Sequence, residues 1–378
     1  MLAAAAILCF AIAAQPQTQP PQTQPQTSQP ASGTSADQQP SLTVDHDPVP
    51  SPDAETTGPV APGAAGSGAG SGAGAGQVTK GAGGRFTLRQ DVDEVVLNAT
   101  VLDSGGRLVQ SLQKGDFQVF EDGVPQTIAA FRHEDVPVSI GILIDNSGSM
   151  ADKRMAVNQA AIDMVKASNP DDETFIVNCS EEAYIDQDFT SDIGKLNQGL
   201  SHIDSKGGTA LYDAVVASAD YMAKYAKRSK QVLLIITDGE DNASSATLEY
   251  TIRRVQDLSG PVVYTIGLLF GDEDSPKTQR RAKRALQDLS DQTGGIAYFP
   301  KRIQNVDEVA NEVASDIRNQ YTIGYHSTNP PSKGGYREVH VEAKAKGMGR
   351  LTVRTRTGYF PRAEHSGKSG LVAPGSPH

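Results

Sequence analysis

"VSIGILIDNSGSM", residues 138–150, opens as an uncharged run rich in Val and Ile and closes on an aspartate and two serines at alternate positions. A strand that reads as almost continuously hydrophobic is covered on both faces, the usual condition of parallel strands in α/β proteins. Open α/β sheets take their ligands at the carboxyl ends of such strands. Asp145, Ser147 and Ser149 therefore stand where a site is expected, and the rest of the chain decides which kind.

Apolar runs of the same type recur downstream as "TFIVNCS", "AYIDQDF", "QVLLIIT", "PVVYTIGLL" and "GIAYF". Between them lie amphipathic helical patterns, "KRMAVNQAAIDMVKAS", "TALYDAVVASADYMAKYAK", "TLEYTIRRVQDLS" and "TQRRAKRALQDLS", and "QNVDEVANEVASDIRNQ" closes the series. Hydrophobic strands alternating with helices predict an α/β domain with a doubly wound, mostly parallel sheet over residues 136–320. That length suits one domain.

Both flanks read as β structure. Residues 85–135 carry "TLRQDVDEVVLNATVLD" and "DFQVFEDGVPQTIAAF", with "EDG" as a tight turn. Residues 321–362 carry "QYTIGYHS" (from Gln320), "YREVHVEAKAK" and "RLTVRTRTGYF". Three or four strands alone are marginally stable. The economical solution pairs the two flanks into one small all-β sandwich with the α/β domain inserted in its middle.

Residues 1–14, "MLAAAAILCFAIAA", are almost wholly apolar and end in small residues, the form of a signal peptide. They are too few for a membrane span, which needs about 20 apolar residues. Ala6-Ile7-Leu8 before Cys9 lacks the small residue that a lipidation signal places there. Residues 15–84, Pro/Gln/Thr-rich and then Gly/Ala/Ser-rich, hold no aromatic side chain and are expected to form a disordered tether. Residues 363–378 read as a disordered tail. A secreted or periplasmic cell-envelope location follows, with no integral membrane segment after signal cleavage.

The 378 residues carry a formal net charge of -11. That balance argues against nucleic acid, whose phosphates need clustered Lys and Arg. Cys179 is the one cysteine left after signal cleavage, so neither an internal disulfide nor a cysteine zinc site can form. Its place in an apolar run makes it a small buried hydrophobe.

Three stretches fall at strand ends or loop–helix junctions: Asp145-x-Ser147-x-Ser149, Thr209 in "KGGTALYDA", and Asp238 in "LLIITDGEDN". All five side chains offer oxygen and none offers sulfur or imidazole. Hard oxygen donors with two carboxylates suit Mg2+, Mn2+ or Ca2+ and disfavour zinc or copper. So small a ligand charge leaves the cation able to draw an acidic group from outside. Glu240, Asp241 and Asp213 read as rim or helix-face residues, and "GDEDSP", 271–276, as a helix cap. None of the seven histidines is assigned a role.

These three stretches, in this order and context, resemble the von Willebrand factor type A domain. Its metal-ion-dependent adhesion site implies Asp145, Ser147, Ser149, Thr209 and Asp238 as metal ligands and a partner protein presenting a carboxylate. The flanks "LQKGDFQVFEDGVPQ" and "TRTGYF" resemble a secreted bacterial subgroup, the acidobacterial-type VWFA-related proteins. The resemblance implies an adhesion-type binding module and no enzyme.

Two other functions compete. A metal-dependent hydrolase or phosphatase would use Asp145 as nucleophile. Dehalogenase-type phosphatases, however, place a second acid where Ser147 stands, and a serine hydroxyl cannot do acid–base work near neutral pH. Neither Gly-x-Ser-x-Gly nor a phosphate-binding Gly-x-x-x-x-Gly-Lys loop occurs. The second competitor, a co-chaperone-like subunit of a cytoplasmic ATPase, conflicts with the signal peptide and tether.

Overall fold

The computed structural model describes residues 94–201, 205–270 and 275–361, with the strand backbones at 43–44, 78–80 and 86–88. The signal peptide, the tail and the remainder of the tether lie outside the described residues. Two strands fall inside the tether stretch, β1 (Thr43–Val44) and β2 (Val78–Lys80), and β2 pairs antiparallel with β3 (Phe86–Leu88).

The first flank supplies β4 (Glu94–Leu102), β5 (Phe117–Glu121), β6 (Val124–Gln126) and β7 (Ile128–Arg132). The expected turn joins β5 to β6 through Asp122 (φ 48°) and Gly123 (φ 75°). Two successive positive φ values make the primed turn that matches strand twist in a two-residue hairpin, and Asp-Gly suits it.

The α/β domain follows. Its strands are β8 (Val138–Asp145), β9 (Glu173–Cys179), β10 (Ala183–Thr190), β11 (Lys230–Thr237), β12 (Val262–Gly267) and β13 (Ala297–Tyr298). Its helices are α1 (Arg154–Ala167), α2 (Ile193–Leu200), α3 (Leu211–Tyr225), α4 (Leu248–Asp257), α5 (Pro276–Thr293) and α6 (Val306–Arg318). The sheet order is β1-β10-β9-β8-β11-β12-β13, and every pairing is parallel except β9 with β10. All eight residues of β8 are buried, the seven uncharged ones and the terminal Asp145 alike. Ile140, Ile142 and Ile144 pack with α1, α2 and α6 on one face, and Leu143 with α3, α4 and α5 on the other. The alternation of strand and helix was correctly predicted.

Three local features differ from the sequence reading. Helix α2 was not foreseen, because its two glycines mask an apolar spacing of Ile193, Leu196 and Leu200. Gly199 lets that helix sit against β10, since a Cβ there would lie 2.8 Å from Cβ of Gln187. "GIAYF" contributes only a two-residue edge, β13.

The third difference lies in the second flank, which supplies β14 (Tyr321–His326), β15 (Arg337–Ala343), β16 (Thr352–Arg354) and β17 (Gly358–Tyr359). The single run "RLTVRTRTGYF" breaks into β16 and β17, which join opposite sheets. Between them the chain touches the α/β domain, where Arg356 bridges to Thr293 at the end of α5 and the Thr357 amide donates to the Gln292 carbonyl at 3.2 Å. That contact takes the backbone groups a continuous strand would have needed.

One sheet runs β16-β4-β14-β7 and the other β17-β15-β5-β6, so each draws strands from both flanks. Leu97, Val119, Tyr321, Val341 and Tyr359 meet in a common core. The α/β domain is thus inserted into a sandwich whose halves are separated by almost 200 residues of sequence (132 to 321). Two residues, Asn319 and Gln320, connect α6 to β14. Beside them the Tyr264 hydroxyl donates to Asp316 at 2.6 Å, while the Gln320 amide donates to Tyr264 at 2.9 Å and to Thr100 of β4 at 3.4 Å. This buried polar network ties the base of the α/β domain to the sandwich.

Candidate functional site

Asp145 is the last residue of β8 and is fully buried. Its Oδ1 accepts from the Ser147 amide at 2.8 Å, which turns the chain sharply after the strand. Its Oδ2 accepts from the Thr237 hydroxyl, at the end of β11, at 2.6 Å. Burial pushes the Asp145 carboxyl above the ordinary carboxylate range, although the Thr237 and Ser147 hydrogen bonds oppose it. An ionised carboxylate so placed gains from a neighbouring cation.

Ser147 and Ser149 follow on the turn. Their hydroxyls lie 3.1 Å apart, and Ser149 donates onward to Oδ1 of Asp238 at 2.9 Å. Asp238 directly follows β11, the sheet neighbour of β8. Adjacent parallel strands thus deliver the two carboxylates to one end of the sheet, and the serine turn bridges them.

Thr209 arrives separately, two residues before α3. Its amide donates to Oδ1 of Asn242 at 2.9 Å, and its carbonyl accepts from the Asn242 amide at 3.0 Å. Asn242 lies on the loop after Asp238, so the third stretch is lashed to the second through the backbone. Among the described residues the Thr209 side chain makes no hydrogen bond, to either carboxylate or to any other group. The structure links Asp145, Ser147, Ser149 and Asp238 by direct hydrogen bonds and places Thr209 beside them through its neighbour.

The acidic residues around the site are largely engaged in holding loops. Asp241 accepts from the Tyr212 amide at 3.0 Å and the Ser244 hydroxyl at 2.5 Å, capping the start of α3. Asp213 accepts from the amides of Ser245 and Ala246, both at 2.8 Å. Glu240 faces Arg281 at 3.8 Å on the surface. In the 271–276 stretch, Gly271 to Asp274 lie outside the described residues, and Ser275 caps α5 by accepting from the Thr278 amide at 3.2 Å. Cys179 is buried, and burial pushes its thiol well up, as suits a packing residue.

Sequence reasoning missed three participants. Thr237 anchors Asp145. Asn146 accepts from the Ser205 amide at 3.2 Å and holds the loop that leads to Thr209. Lys153, next to the start of α1, donates to Oδ2 of Asp238 at 2.6 Å and to the Ser149 carbonyl at 3.2 Å. The i+4 spacing from Ser149 was the available signal for Lys153, since one helical turn brings it back over the site.

Residues 140–240 match the von Willebrand factor type A domain family. That span runs from β8 to just past Asp238 and holds all five oxygen-bearing side chains. The chain carries a von Willebrand factor type A domain.

No match was found among curated proteins. Among solved structures, a von Willebrand factor type A protein from Catenulispora acidiphila is 16% identical, with 66% of this chain and 75% of that one covered and a TM-score of 0.41. The von Willebrand domain of the type V pili tip protein Mfa5 from Porphyromonas gingivalis is 14% identical, covering 48% and 95% at a TM-score of 0.39. Proximal thread matrix protein 1 from the mussel byssus, with a zinc-occupied MIDAS motif, is 14% identical, covering 52% and 49% at 0.41.

Among the described residues, no group of three or more His, Cys, Asp or Glu side chains is placed to share a metal. Asp145, Ser147, Ser149, Thr209 and Asp238 form a different set of oxygen-bearing side chains, two carboxylates and three hydroxyls. A hard divalent cation fits that chemistry, and the unengaged Thr209 hydroxyl leaves one donor ready.

Proposed function

We propose that this chain is a secreted or cell-envelope binding module and not an enzyme. Asp145, Ser147, Ser149, Thr209 and Asp238 would hold Mg2+, Mn2+ or Ca2+, and the cation would take a carboxylate on a partner protein. The observation that carries this reading is the Ser147–Ser149–Asp238 hydrogen-bonded chain beside Asp145, which gathers hydroxyls and carboxylates from adjacent strand ends. A bound cation supplies a Lewis-acidic position open to an outside oxygen. The protein's part is to keep its own ligand charge low, so that positive charge remains for the partner.

The acid–base inventory favours binding over hydrolysis. Ser147 stands where a phosphatase of this strand-end type needs its second acid. Both oxygens of Asp145 accept hydrogen bonds, from Ser147 and Thr237, which fixes the group in place and lowers its nucleophilicity. None of the helices among the described residues is long and apolar enough to cross a membrane.

The test is calorimetric titration of the chain with Mg2+ and Mn2+, beside the Asp145→Ala variant. Binding by the parent and none by a folded variant supports the reading; equal affinity in the variant refutes it. Pull-down from envelope extract, with Mg2+ and then with chelator, addresses the partner.

A further inference from the structure

Lys153 places an ammonium inside the site. Its Nζ lies 2.6 Å from Oδ2 of Asp238, and the two side chains are 11% and 1% exposed. The same nitrogen reaches the Ser149 carbonyl at 3.2 Å. Asp238 accepts from the Ser149 hydroxyl on its other oxygen, so both of its oxygens are engaged within the chain. The residue is held in place by its own backbone, since the Lys153 amide donates to the Met150 carbonyl at 2.9 Å and its carbonyl receives the Val157 amide at 3.1 Å in the first turn of α1.

We propose that Lys153 is a built-in counter-cation of this site, which weakens the hold on the metal and in exchange strengthens the pull on an acidic partner. The inference rests on the metal-binding reading above and deepens it. Two ionised carboxylates and one ammonium give a formal charge of −1. A divalent cation takes the site to +1, and one partner carboxylate takes it to zero. Without the ammonium the loaded site would already be neutral, and an incoming carboxylate would meet no net attraction. A cation held by Asp238 would meet the ammonium on the same largely buried carboxylate, and their repulsion would weaken the hold on the metal. Metal and partner therefore favour each other's binding by the same factor, as linkage requires. The lysine contacts Oδ2 alone, and the neutral Ser149 hydroxyl meets Oδ1, so the ammonium is the one charge set against this carboxylate among these contacts.

The experiment titrates the full chain with Mn2+ alone, followed by calorimetry and by electron paramagnetic resonance of the free ion. The variants are Lys153→Met, which keeps the stem and removes the charge, and Lys153→Arg, which keeps the charge. Lys153→Met should bind Mn2+ at least about tenfold more tightly than the parent, from the Coulomb cost removed, and Lys153→Arg should stay near the parent. Without metal, Lys153→Met should melt lower than the parent and gain more in Tm when Mn2+ is added. If Lys153→Met does not fold without metal, the same titration is run on Lys153→Gln, which retains a hydrogen-bond donor. Equal or weaker Mn2+ affinity in the uncharged variant overturns the inference and leaves the metal reading standing. Absence of Mn2+ binding in the parent and both variants overturns the metal reading, and this inference with it.

Discussion

Replacing Arg337 by methionine removes one member of a buried ion pair that joins the two distant halves of the sandwich. Arg337 on β15 is 1% exposed and Glu121 on β5 is 2% exposed. Their closest atoms, Nη1 and Oε1, are 3.4 Å apart. Around that long contact lies a dense set of shorter ones. Glu121 accepts from the hydroxyls of Tyr325 at 2.8 Å, Tyr359 at 2.9 Å and Ser327 at 2.5 Å. Arg337 donates to the Ser327 hydroxyl at 2.9 Å and to the carbonyls of Asn329 at 2.8 Å and Pro330 at 2.9 Å.

Methionine fills much of the arginine stem's volume, so the loss is chiefly electrostatic. The variant strands an ionised carboxylate in the core with neutral hydroxyls only, and breaking a buried pair from one side costs about 3–5 kcal/mol. Glu121→Gln keeps an acceptor for the tyrosines but leaves Arg337 without a counter-charge, so it should also destabilise. In the double variant no unpaired charge remains. Its cost should then fall short of the sum of the singles by about 0.5–3 kcal/mol, the range seen for contacting residues.

The chain has no tryptophan and 11 tyrosines, and Tyr321, Tyr325 and Tyr359 lie in the sandwich core. Near-ultraviolet circular dichroism during urea unfolding therefore reports on this region. With a slope of about 3 kcal/mol/M, the midpoint of Arg337→Met should fall by about 1 M or more. A loss under about 1 kcal/mol, or strict additivity of the two single changes, would refute the view that this pair holds the sandwich halves together through charge.

Three further outcomes are expected. A chain ending at Gln320 should aggregate, because β14 sits between β4 and β7 and its loss bares an edge on each; a monomer that unfolds cooperatively would contradict the shared sandwich. Gly141→Ala should lower stability by about 1–3 kcal/mol in thermal unfolding, as overpacking does: its Cβ would lie 2.5 Å from Cε1 of Phe175 and 2.8 Å from Cδ1 of Leu233, and an unchanged Tm would show that this core yields freely. Burial lowers the Lys230 ammonium from 10.5 to about 8, against the opposing pull of Asp316. Below the native value both states are protonated and the burial penalty is fully present; between about 8 and 10.5 the unfolded chain binds the proton that the native chain has lost, so stability rises with pH. Relative to Lys230→Met, the parent should gain up to about 3 kcal/mol across that window, and a constant difference would refute the assignment.

The α/β core was legible because burial on both faces demands uncharged strands, and few other structures tolerate "VSIGILI" or "QVLLIIT". The sandwich was legible only by elimination. Alternation in β5 and β15 marks each strand as half-buried, but their partnership spans the whole α/β domain, and the sequence carries no local sign of it. Helix α2 and the split of β16 from β17 were illegible for a related reason. Gly194 and Gly199 lower helical propensity, and tertiary packing on β10 overrides that loss. The break at Thr355 to Thr357 is decided by hydrogen bonds to the distant end of α5.

The site divides along the same line. Asp145, Ser147 and Ser149 show because they interrupt an apolar run at a strand end, and Asp238 shows for the same reason. Thr209 needs the resemblance, since a threonine after two glycines is an ordinary helix start. Lys153 has only its i+4 spacing from Ser149 to mark it: otherwise it is one more basic residue in "ADKRMAV", which reads as the solvated start of a helix. The fold gives it a role. Helix α1 begins at Arg154, soon after the serine turn, and β11 delivers Asp238 beside β8, so Lys153 at the amino-terminal cap of the helix reaches that carboxylate. Its charge is spent inside the site instead of on the surface. If the proposal holds, the affinity of the site depends on a cation reached through topology as well as on the oxygen donors that the motif displays.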